Sequence, residues 1–192
     1  GKTLHINNVS RYLSKKKINF LKLREPGGSK NAELIRKIIL NKKSNFNQKT
    51  DLLLYLASRS ENIDFINNKK IKPKIILIDR FVDSTIAYQH YGMNLDNKII
   101  NILNKYILGN KKVDFTFLHT VNNKNLKKRL SKRKTLNRYD RFKLSFYKKV
   151  QNGFIKLTKM NKKKYHIVDS NNKINENKKL IIKKIDSLIK IK

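Results

Sequence analysis

The chain has 192 residues, of which 47 are Lys or Arg and 13 are Asp or Glu, giving a formal net charge of +34. This length suits one domain with its own buried core. The absence of cysteine excludes disulfides and thiolate metal sites, and the four scattered histidines argue against a zinc centre. No run of about 18 apolar residues exists that could cross a membrane. We therefore expect a soluble cytoplasmic protein without a membrane partner.

The positive charge has two explanations. It could attract phosphate, either in a nucleic acid or in a phosphorylated small molecule. It could also reflect a composition dominated by Lys, Asn and Ile, since lysines occur in nearly every segment and do not form one stripe. The even spread favours a solvated surface over a dedicated nucleic-acid face, so no specific nucleic-acid partner is predicted.

Hydrophobic spacing predicts helices and strands that alternate along the chain. In chain order these are a helix at 4–13, a strand at 18–23, helices at 32–40 and 52–67, a strand at 75–78, a helix at 95–107, a strand at 115–118, a basic helical stretch at 126–160 interrupted at 135–138, a strand at 166–168 and a helix at 180–189. Gly109 predicts the end of the helix before it. Residues 75–78 are apolar and mostly β-branched, which predicts a strand buried on both faces.

Strands that alternate with helices predict βαβ units, and hence a single α/β domain over residues 1–192 with a parallel, doubly wound sheet. In such sheets, ligands bind beyond the carboxyl ends of the strands. The charged pairs Arg24-Glu25 and Asp79-Arg80 follow the first two predicted strands. They therefore mark the predicted site.

Gly1-Lys2-Thr3 matches the end of a phosphate-binding loop, G-x-x-x-x-G-K-[ST], and a helix is predicted directly after it. In such a loop the backbone amides and the helix N-terminus hold phosphates, Lys2 reaches the β- and γ-oxygens, and Thr3 holds Mg²⁺. A three-residue match also arises by chance. Its position before a helix is what supports ATP binding by Gly1, Lys2 and Thr3.

The loop at residues 24–28, Arg-Glu-Pro-Gly-Gly, follows the first predicted strand. Its arginine offers fork-shaped donors for phosphate oxygens, and its paired glycines let the backbone approach a ligand closely. The alternative is a Pro-Gly turn with an incidental charged pair.

Asp79-Arg80-Phe81 ends the most hydrophobic strand. The carboxylate can join a Mg²⁺ shell and Arg80 can face a phosphate, or the pair can simply cap the strand. Because buried charges need partners, the functional interpretation is favoured. Thr85 and Gln89 lie four apart on a predicted helix, where they could read a nucleobase edge or form an ordinary polar face.

These segments, in this order and spacing, resemble the thymidylate kinase family. The matching segments are G-K-T at 1–3, R-E-P-G-G at 24–28, A-S-R at 57–59 and D-R-F-V-D-S-T-I-A-Y-Q at 79–89. The resemblance implies a P-loop NTPase fold of the nucleoside monophosphate kinase type, with ATP and dTMP as substrates, Mg²⁺ as cofactor and a homodimeric assembly. The implied reaction transfers the γ-phosphoryl group of ATP to dTMP, giving dTDP and ADP for dTTP synthesis.

The same resemblance implies nine dTMP-binding residues: Glu25, Pro26, Arg36, Tyr55, Arg59, Arg80, Thr85, Tyr88 and Gln89. Tyr55 takes the place of the aromatic ring that stacks on thymine. Arg59, Thr85 and Gln89 would bond the base edge. Tyr88 would crowd the 2′ position of the sugar and so favour deoxyribose.

The phosphate and metal groups are implied in the same way. Arg36 and Arg80 would neutralise the dTMP phosphate, while Glu25 and Asp79 would organise the metal and the phosphates. Thr3 and Asp79 are the implied metal ligands. The implied catalytic residues are Lys2, Asp79, Arg80, Arg129, Arg133 and Arg138.

The basic segment at about 127–142 resembles the lid of bacterial family members, whose pattern ends in D-R-[FI]-E. Arg138 matches the lid arginine, Asp140 stands in for the Glu, and Asn137 replaces the Asp. A lid that closes over ATP would exclude water and place guanidinium groups on the transferring phosphate. The alternative is a solvated basic helix.

Family members carry F-E-G-x-[DE]-G before G-K-[ST], which supplies a central first strand. The chain opens at Gly1, so we expect a fragment whose sheet lacks this strand. We also expect residues 1–192 to be catalytically inactive by themselves. Two rival functions stay open at this point. One is a basic nucleic-acid-binding protein on a vestigial kinase scaffold, and the other is a kinase for another deoxynucleoside monophosphate.

Overall fold

The computed structural model describes residues 1–68, 70, 72–131 and 138–190, with only the backbone of residues 130, 140, 141 and 190. In chain order its elements are α1 (Lys2–Lys15), β1 (Phe20–Arg24), α2 (Lys30–Leu40), α3 (Gln48–Asn67), β2 (Ile75–Asp79), α4 (Val82–Thr85), a π-helix (Ile86–Gly92), α5 (Asn97–Leu108), β3 (Thr116–Thr120), α6 (Asn123–Ser131), a 3₁₀ turn (Arg138–Arg141), α7 (Leu144–Met160), a second 3₁₀ turn (Lys162–Lys164), β4 (Tyr165–Asp169) and α8 (Ile174–Lys190). The predicted alternation of helices and strands is confirmed.

Polar side chains fix where three of the helices begin. Ser29 precedes α2, Asn47 precedes α3 and Asp96 precedes α5, and each side-chain oxygen accepts a hydrogen bond from a backbone N–H of the first turn. Helix α5 ends at Leu108 and is followed by Gly109, whose φ of 54° is accessible to glycine but energetically costly for other residues. The end predicted for this helix is confirmed.

The four described strands form two parallel pairs. Strand β1 pairs with β2 in a register that sets Phe20 beside Ile75 and Arg24 beside Asp79. Strand β3 pairs with β4 over five residues each. The parallel direction is as predicted, but the described strands form two separate ladders instead of one continuous sheet.

The main core joins the two strand pairs through one helical layer. Its fully buried members come from α1, α8 and β4: Val9, Leu13, Val168, Ile181 and Ile185. Side chains of the other three strands pack against these residues: Phe20, Ile75, Leu77 and Phe117. Both pairs therefore rest on the same α1–α8 layer, which carries the hydrophobic stabilisation of this half of the molecule.

The prediction of a strand buried on both faces at 75–78 is wrong at Ile76. Ile75 and Leu77 pack on the α1–α8 layer, but the side chain of Ile76 is 39% exposed. Successive side chains of a strand point to opposite faces, so Ile76 faces away from that layer. Ile78, on the same face as Ile76, packs against Leu23, Ile63 and Ile66, so this second face is covered at Ile78 and open at Ile76.

The predicted helix that carries Thr85 and Gln89 changes its winding between them. The α-helical turn α4 ends at Thr85, and a π-helix continues to Gly92. π-Helical segments are rare and are common at functional sites. Both side chains still face inward and are buried, so the predicted shared face is kept although the helix type differs.

Candidate active site

The start of α1 and the end of β2 meet at the carboxyl edge of the β1–β2 pair. Gly1 precedes α1, and its carbonyl accepts the first backbone bonds of the helix. The leading N–H groups of an α-helix have no intrahelical acceptor, which suits this end to a phosphate. The Thr3 hydroxyl donates to Asp79 Oδ2 at 3.3 Å. The two predicted metal ligands therefore lie side by side.

Asp79 and Arg80 connect this edge to a neighbouring cavity. Glu25 N–H donates to the Asp79 carbonyl at 2.9 Å, which fixes the loop at 24–28 beside the strand end. Arg80 has a φ of 68°, a left-handed conformation that is uncommon for non-glycine residues and clusters at functional sites. Its guanidinium lies 5.0 Å from the centre of the Tyr88 ring. One dipeptide thus serves both sides of the candidate site.

The loop at 24–28 is held by polar side chains of α3. Gly27 N–H donates to Ser58 Oγ at 3.0 Å, and Asn62 Nδ2 donates to the Gly27 carbonyl at 2.8 Å. Gly28 has a φ of 120°, and a Cβ there would lie 2.7 Å from Asn62 Oδ1. The loop therefore needs glycine for its backbone conformation and for its close approach to α3.

Arg59 is the buried centre of this arrangement. Its Nε and Nη2 donate to Glu25 Oε2 at 2.9 and 2.6 Å, and Nη2 also donates to Thr85 Oγ1 at 2.9 Å. Nη1 donates to Asn104 Oδ1. Arginine has five N–H groups, so four of them are used inside the protein. Burial raises the pKa of Glu25, and the pairing with Arg59 opposes that shift.

Arg36 reaches the same cavity from α2. Its Nη1 donates to the Pro26 carbonyl at 2.5 Å, which holds the side chain against the loop. Burial and the neighbouring Arg24 guanidinium lower the pKa of Arg36. A negatively charged phosphate beside Arg36 would relieve both effects.

One cavity collects the predicted acceptor residues. It is lined by Glu25, Pro26, Arg36, Leu40, Tyr55, Arg59, Arg80, Phe81, Ser84, Thr85, Tyr88, Gln89, Tyr139 and Tyr147. All nine residues implied in dTMP binding are in this set. Five lining residues were not predicted: Leu40, Phe81, Ser84, Tyr139 and Tyr147. Phe81 and Ser84 stand inside the matched 79–89 segment, and Tyr139 stands inside the lid resemblance at about 127–142. Tyr147 lies in none of the matched segments.

The polar end of the cavity holds a buried N–H donor for which the described residues provide no hydrogen-bond acceptor. Gln89 is 1% exposed, and its Nε2 has no hydrogen-bond partner among the described residues. Leaving such a group unpaired costs about 1–3 kcal/mol. Thr85, whose oxygen already accepts from Arg59, lies in the same wall. A ligand oxygen placed here would satisfy the amide.

An aromatic wall faces these polar groups. The Tyr55 and Tyr139 rings meet edge to face with centroids 6.0 Å apart, and Tyr88 meets Tyr139 at 6.4 Å. Burial raises the pKa of Tyr55 above its ordinary value, so this phenol stays protonated at neutral pH. Flat apolar rings beside a hydrogen-bonding edge are what a nucleobase requires.

The predicted lid arginines do not line this cavity where the structure describes them. Arg129 Nη2 donates to the Ser170 carbonyl at 2.7 Å, on the loop after β4. Arg138 donates to the carboxylate of Asp51 and to the Tyr139 hydroxyl. Arg133 and Asn137 lie outside the described residues, as does the side chain of Asp140. The roles implied for these arginines stay predictions.

The donor set at the strand edge fits Mg²⁺. Thr3 and Asp79 offer two hard oxygen ligands, and Mg²⁺ is usually held by one or two protein oxygens together with substrate phosphates and water. Within the described residues no group of three or more His, Asp or Glu side chains could hold a metal. A separate finding concerns membranes: none of the described helices is long and apolar enough to cross one.

Comparison with known proteins gives a consistent result. The family model described as thymidylate kinase matches residues 1–181. The thymidylate kinase of Sulfurihydrogenibium sp. (strain YO3AOP1) is 36% identical over 95% of this chain and 89% of its own length. That of Acholeplasma laidlawii (strain PG-8A) is 36% identical over 91% and 87%. The crystal structure of thymidylate kinase from Ehrlichia chaffeensis superposes with a TM-score of 0.76 at 28% identity, covering 96% of this chain and 92% of that one. The chain belongs to the thymidylate kinase family.

Proposed function

We propose that the cavity between α2, α3 and the π-helix binds dTMP, and that the edge at Thr3 and Asp79 presents ATP to it. The chain's function is ATP-dependent phosphorylation of dTMP, which yields dTDP and ADP. The observation that supports this assignment of sites is the meeting of all nine acceptor residues around one cavity. Asp79 and Arg80 join that cavity to the start of α1.

Positioning and positive charge supply most of the acceleration in phosphoryl transfer, because the transition state involves little covalent chemistry by the protein. Arg36 and Arg80 hold the phosphate of the acceptor. Thr3 and Asp79 would hold Mg²⁺, which when bound would supply charge neutralisation at the phosphates of ATP. Lys2 stands at the start of α1, from which it reaches the same oxygens.

The base is read at the buried end of the cavity. Gln89 Nε2 donates to a carbonyl oxygen of thymine, which gives this amide the acceptor that the described residues do not provide. Arg59 acts mainly by holding Glu25 and Thr85 in place, since four of its donors bond to protein. Tyr55 offers its ring to the base.

The test is ADP release with a panel of acceptors. The protein expressed from the native start codon of its gene is mixed with ATP and Mg²⁺, and with dTMP, dUMP, dCMP or dGMP. We expect dTMP to give the highest kcat/KM of the four. A preference for another acceptor would favour a different deoxynucleoside monophosphate kinase. If none of the four acceptors gives ADP release and the protein binds DNA tightly and in a salt-sensitive way, the nucleic-acid-binding alternative would be favoured.

We also propose that the enzyme is a homodimer that works in the cytoplasm. Helix α5 exposes Ile99, Ile102 and Tyr106, which are spaced to share one helical face, and Tyr106 is 85% exposed. A contiguous exposed apolar face is typical of an interface. We expect the wild-type protein to have the mass of a dimer by light scattering. Ile102→Glu should give a monomer, whereas Asn101→Glu on the same helix should not; a monomeric wild type would contradict this proposal.

A further inference from the structure

Tyr139 brings the last part of the predicted lid, the turn at Arg138–Arg141, into the acceptor cavity. It is 7% exposed, and it lines the cavity together with Tyr55. Its ring meets the Tyr55 ring edge to face, and the two hydroxyl groups are hydrogen-bonded to each other. The ring assigned to the base therefore has a direct partner from a segment more than 80 residues later in the chain.

The Tyr139 hydroxyl is also bonded to α3. It donates to Asp51 Oδ2 at 2.5 Å and accepts from Arg138 Nη2 at 2.9 Å. A phenol has one proton to donate and two lone pairs, so the bonds to Asp51 and Arg138 use its proton and one of its lone pairs. This network leaves the ring of Tyr139 little freedom to rotate.

Asp51 is the fixed end of this network. Its side chain is 2% exposed, and it pairs with the Arg138 guanidinium. A buried carboxylate without a cation is strongly destabilising, so the pair fixes the turn at Arg138–Arg141 against α3. Asp51 and Tyr55 are four residues apart and therefore lie on one face of α3. Tyr139 bridges the two across this face.

We propose that Tyr139 is a positioning residue for the acceptor base, which holds the Tyr55 ring through its hydroxyl and ties that ring to the Arg138 turn through Asp51. This inference rests on the assignment of the cavity to dTMP. Tyr139 acts through Tyr55. Its loss should therefore weaken dTMP binding without changing the affinity for ATP.

The test is a double-mutant cycle of Tyr139→Phe and Tyr55→Phe, each of which removes one hydroxyl and keeps its ring. A lost hydrogen bond in such a network corresponds to roughly a tenfold change in an equilibrium constant. We expect Tyr139→Phe to raise KM for dTMP about tenfold, with KM for ATP unchanged. Tyr55→Phe should raise KM for dTMP comparably, and the double variant should be no worse than the poorer single variant.

The outcomes separate this inference from the function on which it rests. A wild-type protein without dTMP-dependent ADP release would overturn both. An active wild type with additive effects in the double variant, or with equal loss for dTMP and ATP, would overturn the role of Tyr139 alone. If Tyr139→Phe fails to fold, KM for dTMP is measured instead for Asp51→Asn and Asp51→Ala. The amide can still accept the Tyr139 hydroxyl, so Asp51→Asn should raise KM for dTMP less than Asp51→Ala; equal values would contradict the bridge.

Discussion

Arg80 combines an unusual backbone conformation with a central position. Its left-handed φ of 68° costs roughly 1–3 kcal/mol, and the side chain lies against the Tyr88 ring in the acceptor cavity. In the proposed site it is the cation next to the transferring phosphoryl group. An arginine in that position contributes several orders of magnitude to the rate in other phosphoryl-transfer enzymes.

We therefore predict that Arg80→Ala lowers kcat by about 100-fold or more, measured by ADP release at saturating dTMP. Arg11→Ala, on the exposed surface of α1, is the matched control and should keep wild-type turnover. Near-normal turnover of Arg80→Ala would show that this guanidinium does not act on the phosphates.

A substitution at Gln89 distinguishes an effect on dTMP binding from an effect on the stability of the fold. Its Nε2 has no acceptor among the described residues, so Gln89→Leu removes an unsatisfied buried donor and keeps a similar volume. We predict that KM for dTMP rises at least about tenfold while Tm stays the same or increases. A large fall in Tm with an unchanged KM would assign Gln89 to the core and not to the base.

At the scale of elements, the loop at 24–28 and helix α3 form one unit. Gly28 requires a positive φ and also approaches Asn62 too closely for any side chain. Gly109, at the end of α5, requires a positive φ but has open space around it. The two glycines therefore separate the effect of backbone strain from that of displacing the loop.

We predict that Gly28→Ala and Gly109→Ala both lower the free energy of unfolding by about 1–3 kcal/mol in urea titrations. Only Gly28→Ala should also raise KM for dTMP, because the loop must move away from α3. Equal KM values for the two variants would show that the loop tolerates this shift.

The sequence predicts the loop at 24–28 and the end of β2 better than it predicts the residues that pack beside them in the cavity. Pro26 and the paired glycines mark the loop at 24–28, and the end of β2 is evident from its apolar run. In contrast, Tyr139 and Tyr147 enter the cavity through long-range packing of the segment after residue 137, which no local period encodes. Arg129 has the right residue type, but its partner is the carbonyl of Ser170. Many basic residues share one segment, so composition alone cannot distinguish them.

At the scale of the whole molecule, α1 connects the strand pairs and places two histidines together. The rings of His5 and His119 stack with centroids 5.3 Å apart. Burial, then the neighbouring His5 and Lys2, lower the pKa of His119 to about 4 from 6.5. Ser170 Oγ lies 3.5 Å from its Nδ1. The neutral ring is thus the form that the folded state accommodates.

This shift predicts an acid-sensitive fold. The unfolded chain binds a proton at His119 near pH 6.5 and the folded chain only near pH 4, so the contribution to stability is complete above pH 6.5 and is lost as the pH falls towards 4. We expect a loss on the order of 2 kcal/mol in urea titrations across this window. His119→Gln should flatten the pH dependence; an unchanged slope would assign it to other groups.

The acceptor cavity and the metal edge both lie at the carboxyl end of one strand pair. Glu25, Asp79 and Arg80 lie at the carboxyl edge of the β1–β2 pair, whereas β3 and β4 pack on the α1–α8 layer. The sequence predicts the four strands and their direction. The family resemblance also predicts a sheet without its central strand, and the described strands lie in two separate ladders. Hydrophobic spacing alone carries no information about which strands pair.

The central claim is that guanidinium groups at this edge hold two nucleotides so that a phosphoryl group passes between them. The most direct measurement is chromatographic detection of dTDP after the protein from the native gene is incubated with dTMP, ATP and Mg²⁺. We predict that dTDP accumulates in step with ADP and that Arg80→Ala abolishes both. ADP without dTDP, or neither product from a folded wild-type protein, would contradict the account.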